Sequence, residues 1–444
     1  MEDRAEKFVG KADKWAIEIG IIGKEGCGCT IRDKRKQHRE MEFTLEIFLA
    51  AFILLVALAF YYEHPKAEIP REVDQPIKLY ILHYVVNFAF GLGRILEKLG
   101  ICKEVYLIRT FLYGIPPWKD NANLFIEDLK FAKVSVRVYH PKVPSAGRRR
   151  GVLYLHGGIG QIGSISMYER VCRFIARRSN SVVVCVGYRL APEHPYPTQF
   201  LDCLTATVHF MTTAEDYGVD PTRIIICGDS SGGTLAAAVC QTLVSRTDLP
   251  KARAQILLYP FLQAVDFNLP SYQQNGSVPF LLKKRTITLG MQYLSQDLSL
   301  MKGILEGSHV PEDLKLKFSK WLSPDNIPME FKIRGYKPPA SATYSEELYT
   351  LAKQVFETTF SPLLAEDAIV RQLPETFILT CEYDVIRDDG LLYKKRLEDN
   401  GIPVTWYHLE DGFHGALFLI DYGYISFPCG KRAMENVVNF IKDL

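Results

Sequence analysis

Ser230 has the type and setting of an acyl-transfer nucleophile. It lies in Gly-Asp-Ser-Ser-Gly at positions 228–232, which fits the pattern G-x-S-x-G. In that pattern a sharp strand-to-helix turn exposes the serine hydroxyl, and the residues two before and two after it must be nearly free of side chains. Ser231 fits poorly because Asp229 stands two residues before it. The pattern predicts Ser230 as the nucleophile, and the alternative is a Gly/Ser loop without chemistry.

An acid and a base for this serine follow later in the chain. Asp384 comes soon after the apolar segment 376–380, and His414 lies in a late Asp-Gly-Phe-His-Gly segment. The order serine, aspartate, histidine is the one that α/β-hydrolases use, with the histidine taking the serine proton and the aspartate holding the imidazole. Asp388 and Asp389 are alternative acids, but they precede a predicted helix and suit its N-terminus. His414 has the alternative of being an ordinary loop histidine.

A glycine-rich turn follows the predicted buried strand that begins at Gly151. The strand ends in His156, Gly157 and Gly158. Glycines let the backbone approach a substrate closely and direct its N–H groups, as an oxyanion hole requires. We expect His156 itself to be structural. No histidine lies in an H-E-x-x-H pattern, so the sequence predicts neither a metal nor a cofactor.

Alternating strand and helix patterns place these residues on one sheet. The alternation over residues 151–259 predicts a mostly parallel, doubly wound sheet, preceded by entry strands within 129–140. Strand patterns then cease, which predicts a helical cap inserted at about 261–372. The fold class is therefore α/β, with a catalytic domain over 128–444.

The composition excludes some other classes of protein. A net charge of +2 without a charged tail gives no nucleic-acid footprint. The ten cysteines show no metal-ligand spacing. Five of them lie in apolar segments and are predicted to be buried thiols: Cys172, Cys185, Cys227, Cys240 and Cys381.

The N-terminal part of the chain predicts a membrane anchor. Residues 1–40 have no sustained apolar face and are predicted to be disordered. Residues 43–62 are almost wholly apolar, about the ~20 residues that a helix needs to cross a bilayer. The basic residues crowd before this segment, which predicts a cytosolic N-terminus and a lumenal catalytic domain. A cleaved signal peptide ending near Ala59, or a buried core helix, are the alternatives.

Two further features bear on that topology. Asn275 begins an Asn-Gly-Ser sequon and is a possible glycosylation site on the lumenal side. Residues 74–118 have apolar residues at helical spacing, which predicts one or two helices packed on the domain. The alternative is a mobile lid that also touches the membrane.

Five motifs of this chain, and their order along it, resemble those of the hormone-sensitive-lipase group of α/β-hydrolases. With the single anchor, residues 41–444 resemble the arylacetamide deacetylase family, nearest to its like-3 and like-4 branch. The resemblance implies a membrane-bound carboxylic ester or amide hydrolase of the endoplasmic reticulum that faces the lumen and acts on lipophilic acyl compounds, with acylglycerols included. It also implies the triad Ser230, Asp384 and His414, with an oxyanion hole from Gly157, Gly158 and the N–H of Ser231. The motifs are His-Gly-Gly (156–158), Tyr-Arg-Leu-Ala-Pro-Glu-His-Pro (188–195), Gly-Asp-Ser-Ser-Gly-Gly (228–233), Asp-Val-Ile-Arg-Asp-Asp (384–389) and Asp-Gly-Phe-His-Gly (411–415).

Ile159 departs from the pattern of that group. The group usually has His-Gly-Gly-Gly, and here Ile159 stands in place of the third glycine. The backbone N–H remains, but a β-branched side chain resists unusual backbone angles and fills space beside the acyl group. The departure favours, as the alternative function, a catalytically weak or inactive ligand-binding or interaction protein on a hydrolase fold.

Overall fold

The computed structural model describes residues 67–113, 123–340 and 342–444, with scattered positions between Glu40 and Leu58. The predicted disordered extension, residues 1–40, lies outside the described residues apart from Glu40. Within the predicted anchor at 43–62 the described positions are helical and exposed, and the others lie outside the described residues. These positions belong to a separate unit from residues 59–444.

A single eight-stranded sheet organises the described part of the chain. Its spatial order is β1-β2-β4-β3-β5-β6-β7-β8. The β1, β2 and β4 pairings are antiparallel, and all pairings from β4 through β3 to β8 are parallel. The predicted mostly parallel α/β sheet is confirmed. The strands are β1 Leu124–Phe131, β2 Val134–Pro141, β3 Arg149–Leu155, β4 Val182–Gly187, β5 Val219–Asp229, β6 Ala254–Leu258, β7 Glu375–Tyr383 and β8 Val404–Phe413.

Helices cover both faces of this sheet. Side chains alternate along a strand, so in β5 Ile224 and Ile226 face one core while Ile225 and Cys227 face the other. Burial on both faces explains why the strand is apolar at consecutive positions. The α-helices among the described residues are α1 Pro76–Lys98, α2 Glu104–Tyr113, α3 Glu169–Ser179, α4 Thr198–Thr212, α5 Ser231–Leu243, α6 Pro270–Gln274, α7 Lys283–Tyr293, α8 Met301–Glu306, α9 Glu312–Leu322, α10 Glu346–Ala352, α11 Asp367–Val370, α12 Arg387–Asp399 and α13 Pro428–Asp443.

The segment between β6 and β7 holds helices α6 to α11 and, among its described residues, no strand. Its aromatic and aliphatic side chains join the core on the α4–α5 side of the sheet. The boundaries given above for the cap and for the catalytic domain stay predictions.

The two helices α1 and α2 lie within the segment 74–118. Helix α1 begins with Pro76 at its first turn, where the missing N–H of proline costs nothing. It is the one helix among the described residues that is long and apolar enough to cross a membrane, and 44% of its most apolar window is buried. It is therefore partly packed against the rest of the chain.

The predicted buried thiols are confirmed. Cys172, Cys185, Cys227, Cys240 and Cys381 are all buried and unpaired. Burial raises the pKa of Cys227 and Cys381 well above the usual range, so that both stay protonated and unreactive.

Candidate active site

The turn between β5 and α5 exposes Ser230. Ser230 has φ 54° and ψ −125°, a conformation that a non-glycine residue rarely adopts. A Cβ atom on Gly228 would lie 2.1 Å from the carbonyl oxygen of Gly232, and one on Gly232 would lie 2.1 Å from that of Leu155. Only glycine fits at these two positions, as the G-x-S-x-G pattern requires.

The structure brings together the three residues that the sequence nominated as a triad. The Nε2 atom of His414 lies 2.9 Å from the Oγ atom of Ser230. The Nδ1 atom of the same ring lies 2.8 Å from Oδ2 of Asp384. Asp384 is fully buried, and its other oxygen accepts the N–H of Ile386 at 3.0 Å. The three side chains stand at the carboxyl ends of β5, β7 and β8, which meet at one edge of the sheet.

The alternative acids Asp388 and Asp389 lie in the first turn of α12 and bind other partners. Asp388 accepts the N–H of Ser271 at 2.6 Å and pairs with Arg387 at 2.9 Å. Asp389 accepts the N–H of Leu262 at 2.9 Å, and burial raises its pKa to about 7. Both carboxyl groups therefore fasten α12 to the first part of the β6–β7 segment instead of orienting the histidine.

Asn275, the predicted glycosylation site, has a buried and fully bonded side chain. Its side chain is fully buried, and Nδ2 donates to the carbonyl oxygens of Glu382 and Asp384, both at 2.9 Å. Its Oδ1 accepts from Arg334. A glycan on Nδ2 would displace these bonds and would have no space in the folded protein, and glycosylation at Asn275 stays a prediction. Asn275 supports the loop that carries Asp384, a role that the sequence gave no signal for.

Asp229 binds one of the three predicted oxyanion donors. The N–H of Gly157 donates to its Oδ1 at 3.1 Å and is therefore engaged. Asp229 also accepts from the hydroxyls of Tyr154 and Tyr168, each at 2.9 Å. Burial raises the pKa of Asp229 to about 6 against the opposing effect of these bonds. In the sequence Asp229 has no evident role beyond making Ser231 a poor nucleophile, whereas in the structure it joins the turn to the glycine loop.

The other two predicted donors have a different setting. Among the described residues, no hydrogen-bond acceptor is found for the backbone N–H of Gly158 or of Ser231. Ser231 is the first residue of α5, where helical N–H groups lack partners within the helix. Gly158 has φ 115°, and a Cβ atom there would lie 2.2 Å from the carbonyl oxygen of Ile162. Both N–H groups remain available to a ligand oxygen.

Ile159 adopts the backbone conformation that its side chain resists. Its φ is 55°, which for a β-branched residue is a genuine outlier. Its N–H donates to the Oγ atom of Ser231 at 2.8 Å. Related hydrolases usually have a third glycine at this position. Here the backbone N–H at that position is bound to the hydroxyl of Ser231, the residue after Ser230.

His156 stabilises the start of this loop. Its ring is fully buried and stacks on Tyr188, with ring centroids 4.1 Å apart. Its Nδ1 lies 2.8 Å from the carbonyl oxygen of Gly157. Burial lowers its pKa to about 4, so the ring is neutral near pH 7.

Ser230 lies at the wall of an apolar pocket. A smaller cavity shares four lining residues with it: Ile159, Ser231, Phe261 and Phe360. The larger pocket has no charged residue in its lining, and among the described residues no group of three or more histidine, cysteine, aspartate or glutamate side chains is placed to hold a metal. The site therefore suits an apolar compound whose polar centre lies at Ser230.

Comparison with known proteins gives the family. A family model described as the alpha/beta hydrolase fold matches residues 152–306 and 331–418. Arylacetamide deacetylase-like 4 of Homo sapiens is 45% identical over 398 residues, which cover 89% of this chain and 96% of that protein. The chain belongs to the arylacetamide deacetylase family of α/β-hydrolases. The resemblance inferred from the five motifs is confirmed.

A further relative of this arylacetamide deacetylase family member and two solved structures support the same family and fold. Arylacetamide deacetylase of Bos taurus is 37% identical over 407 residues, covering 89% of this chain and 98% of that protein. Among solved structures, DphMB1 superposes with a TM-score of 0.58 at 26% identity, covering 79% of this chain and 97% of that one. A thermostable esterase from Pseudomonas putida superposes with a TM-score of 0.56 at 23% identity, over 76% and 89% of the two chains, which shows a shared fold.

Proposed function

We propose that this protein hydrolyses carboxylic esters of lipophilic compounds through an acyl-enzyme on Ser230. The observation that carries the proposal is the position of the His414 ring, 2.9 Å from the Ser230 hydroxyl and 2.8 Å from Asp384. The names of the family relatives add support, because an arylacetamide deacetylase removes an acyl group.

The proposed reaction has two halves. Ser230 Oγ attacks the ester carbonyl while His414 Nε2 takes the hydroxyl proton, and the same proton then passes to the alcohol oxygen as its bond to the acyl carbon breaks. Water next attacks the acyl-enzyme, with His414 taking its proton and returning it to Ser230 as the acid leaves. Asp384 holds the imidazole and stabilises its cation in both halves.

The oxyanion of each tetrahedral intermediate needs backbone donors. We assign this role to the N–H groups of Gly158 and Ser231, the two donors that have no acceptor among the described residues. Gly157 is left out because its N–H is bound to Asp229. Ile159 joins as a third donor only if its N–H leaves the Ser231 hydroxyl.

The lining of the pocket favours lipophilic substrates. Apolar side chains such as Phe267, Leu281 and Met291 surround it, so an acyl or alcohol chain gains the free energy of leaving water. Amides and acylglycerols of the same character are included in the proposal.

We also propose that residues 43–62 anchor the protein in the endoplasmic reticulum membrane with its catalytic domain in the lumen. The basic residues before this segment support that orientation. Because Asn275 is buried, a glycan on it is a poor reporter of the lumenal side. Protease protection is therefore the suitable measurement. In sealed microsomes the catalytic domain should resist added protease until detergent opens the vesicles. Its complete digestion in intact vesicles would reject the topology.

Ester hydrolysis by the purified protein tests the activity. Wild type should release p-nitrophenol from a series of acyl esters, and Ser230→Ala should be inactive on all of them. The second candidate, a ligand-binding protein on the same fold, is favoured by the strained Ile159 and its engaged N–H. Saturable binding of esters without turnover, even by Ile159→Gly, would select that candidate and reject hydrolysis.

A further inference from the structure

The N-terminal half of α1 presents apolar side chains to the outside. Ile77 is 78% exposed and Ile81 is 61% exposed, and Tyr80 and Val85 are also exposed. Spacings of three, four and eight residues place these four side chains on one side of a helix. A face of this kind on a folded domain marks an interaction surface.

The rest of α1 is packed against the domain through buried apolar residues and through polar contacts. Asn87 is buried, accepts from Arg285 of α7 at 2.7 Å and lies 2.8 Å from the His83 ring. The Arg285 guanidinium also lies over the ring of Phe90, 4.1 Å from its centroid. Crossing a bilayer would pull these contacts apart and would place polar side chains in hydrocarbon. In the folded domain α1 lies along a surface, despite having the length and hydropathy of a membrane span.

A second element extends the apolar face. Lys78 Nζ donates to the carbonyl oxygen of Ser426 at 2.8 Å, so the first turn of α1 lies beside the loop that precedes α13. Tyr424 in this loop is 99% exposed and Ile425 is 52% exposed. We call the six exposed side chains the α1 surface: Ile77, Tyr80, Ile81, Val85, Tyr424 and Ile425.

The chemistry of the α1 surface matches a lipid headgroup boundary. Two of its six members are tyrosines, whose rings combine an apolar body with a polar tip and favour that depth. The match is one of aromatic and aliphatic side chains and not of charge, since Arg94 of this helix is paired with Glu104 at 3.3 Å.

A bilayer is also within reach of this surface. The predicted anchor ends at Tyr62, fourteen residues before Pro76. Fourteen residues span at most about 50 Å even when fully extended, which limits the distance between Pro76 and the end of the proposed anchor.

We propose that the α1 surface binds the lipid bilayer, with α1 parallel to the membrane plane and its apolar side chains at the boundary of headgroups and acyl chains. This contact has a consequence for the pocket. Helix α7, which α1 contacts through Arg285, contributes Ile287 and Met291 to the pocket wall. A bilayer against α1 is therefore separated from the lipophilic site by α1 and α7.

Photolabelling of the full chain tests this contact without relying on catalysis. The protein is reconstituted in phosphatidylcholine vesicles whose acyl chains carry a diazirine, and lipid adducts are mapped by mass spectrometry after illumination. Adducts should form on the peptides with Ile77 to Val85 and with Tyr424. Leu316 in α9, also 78% exposed, is the matched control and should remain unlabelled. Equal labelling of the two regions, or cross-links between two copies through α1, would overturn the proposal.

Substitution provides a second arm. Ile77→Asp with Ile81→Asp should lower adduct formation on the α1 surface at least about tenfold, because charged groups leave the hydrocarbon boundary. The control pair, Leu316→Asp with Ile333→Asp, changes equally exposed side chains and should leave that labelling unchanged. Unchanged labelling in the α1 pair would contradict the proposal, and the wild-type map decides the matter if the variants do not fold. Failure of ester hydrolysis would leave all of these outcomes unaffected.

Discussion

The active site has two halves, the triad and the oxyanion hole, and the contacts that position them differ. In the triad half, His414 lies within hydrogen-bonding distance of both Ser230 and Asp384. In the oxyanion half, the N–H of Gly157 is bound to Asp229, and Ile159 holds a left-handed conformation with its N–H on Ser231.

The difference follows from the supports of each half. The triad residues follow β5, β7 and β8, three of four consecutive parallel strands, and a sheet fixes the positions of its strand ends. The oxyanion half depends on the glycine loop, which contains the backbone outlier Ile159 and is bound to the buried carboxyl group of Asp229 at the end of β5. We expect substitutions in the triad half to remove activity and those in the oxyanion half to tune it.

Among substitutions that keep Ser230, Asp384→Asn should have the largest effect on activity. It favours the wrong histidine tautomer and should lower kcat by about 10⁴-fold. Asp388→Asn, four residues later, should keep most of the activity but lower the free energy of unfolding by about 1–3 kcal/mol, since it weakens a buried ion pair. Kinetics and chemical denaturation of both variants check this. Equal losses of activity would show that the acid has been misassigned.

Ile159→Gly tests whether the strained loop limits the rate. Glycine adopts a positive φ without strain, so kcat on short esters should rise by up to about 10²-fold, the scale of one oxyanion donor. The smaller side chain should also let the pocket accept bulkier acyl groups. Ile159→Ala removes bulk but keeps Cβ, so it should recover only part of the gain.

Ile287→Ala is the control for pocket size. It widens the pocket from helix α7 and should alter size preference without raising kcat on short esters. A glycine variant no faster than wild type would show that the left-handed loop does not limit catalysis.

Asn275→Ala tests the support behind Asp384. Loss of its bonds to Glu382 and Asp384 should lower kcat by about tenfold, with a cost of about 2 kcal/mol in stability for the unpaired groups. Ser277→Ala destroys the same sequon but keeps the asparagine, and it should match wild type in activity and in electrophoretic mobility. A mobility shift in both variants would mean that a glycan is attached after all.

The pH dependence of stability tests the buried carboxyl of the oxyanion half. The pKa of Asp229 is raised from 3.8 to about 6, so the folded state holds this proton more tightly than the unfolded state. Its contribution to stability is therefore greatest below about pH 4 and falls as the pH rises to about 6.

Asp229→Asn removes that titration. The wild-type free energy of unfolding minus that of the variant should decrease by about 2–3 kcal/mol between pH 4 and pH 7. Asp389, with its own raised pKa, is present in both proteins and cancels from this difference. A difference that is constant with pH would contradict the assignment.

The two halves also differed in how far the sequence predicted them. Local steric rules selected Ser230 over Ser231, and chain order nominated Asp384 and His414, because each follows a strand of a parallel sheet. The partner of the Gly157 N–H was missed, since Asp229 is 72 positions away and its contact depends on how two loops meet. For the same reason, the sequon at Asn275 gave no sign that its side chain is buried: burial is a tertiary property that three residues do not encode.

The fold shows a similar limit. Alternation over 129–140 predicted strands, but the hairpin between β1 and β2 turns at Ala132 and Lys133, which have positive φ without being glycine. The composition of α1 suits a membrane span, whereas its buried residues and its contact with Arg285 reveal a packed side. Patterns in the sequence identified the elements, whereas the partners of particular polar groups came from the structure.

Labelling with a fluorophosphonate probe tests the central claim, that His414 and Asp384 activate Ser230. The probe reports an activated serine without requiring a known substrate. We predict a single adduct on wild type that maps to Ser230, no adduct on Ser230→Ala, and most of the labelling retained in Ser231→Ala. An unlabelled wild-type protein, or labelling that is lost in Ser231→Ala and kept in Ser230→Ala, would contradict the account.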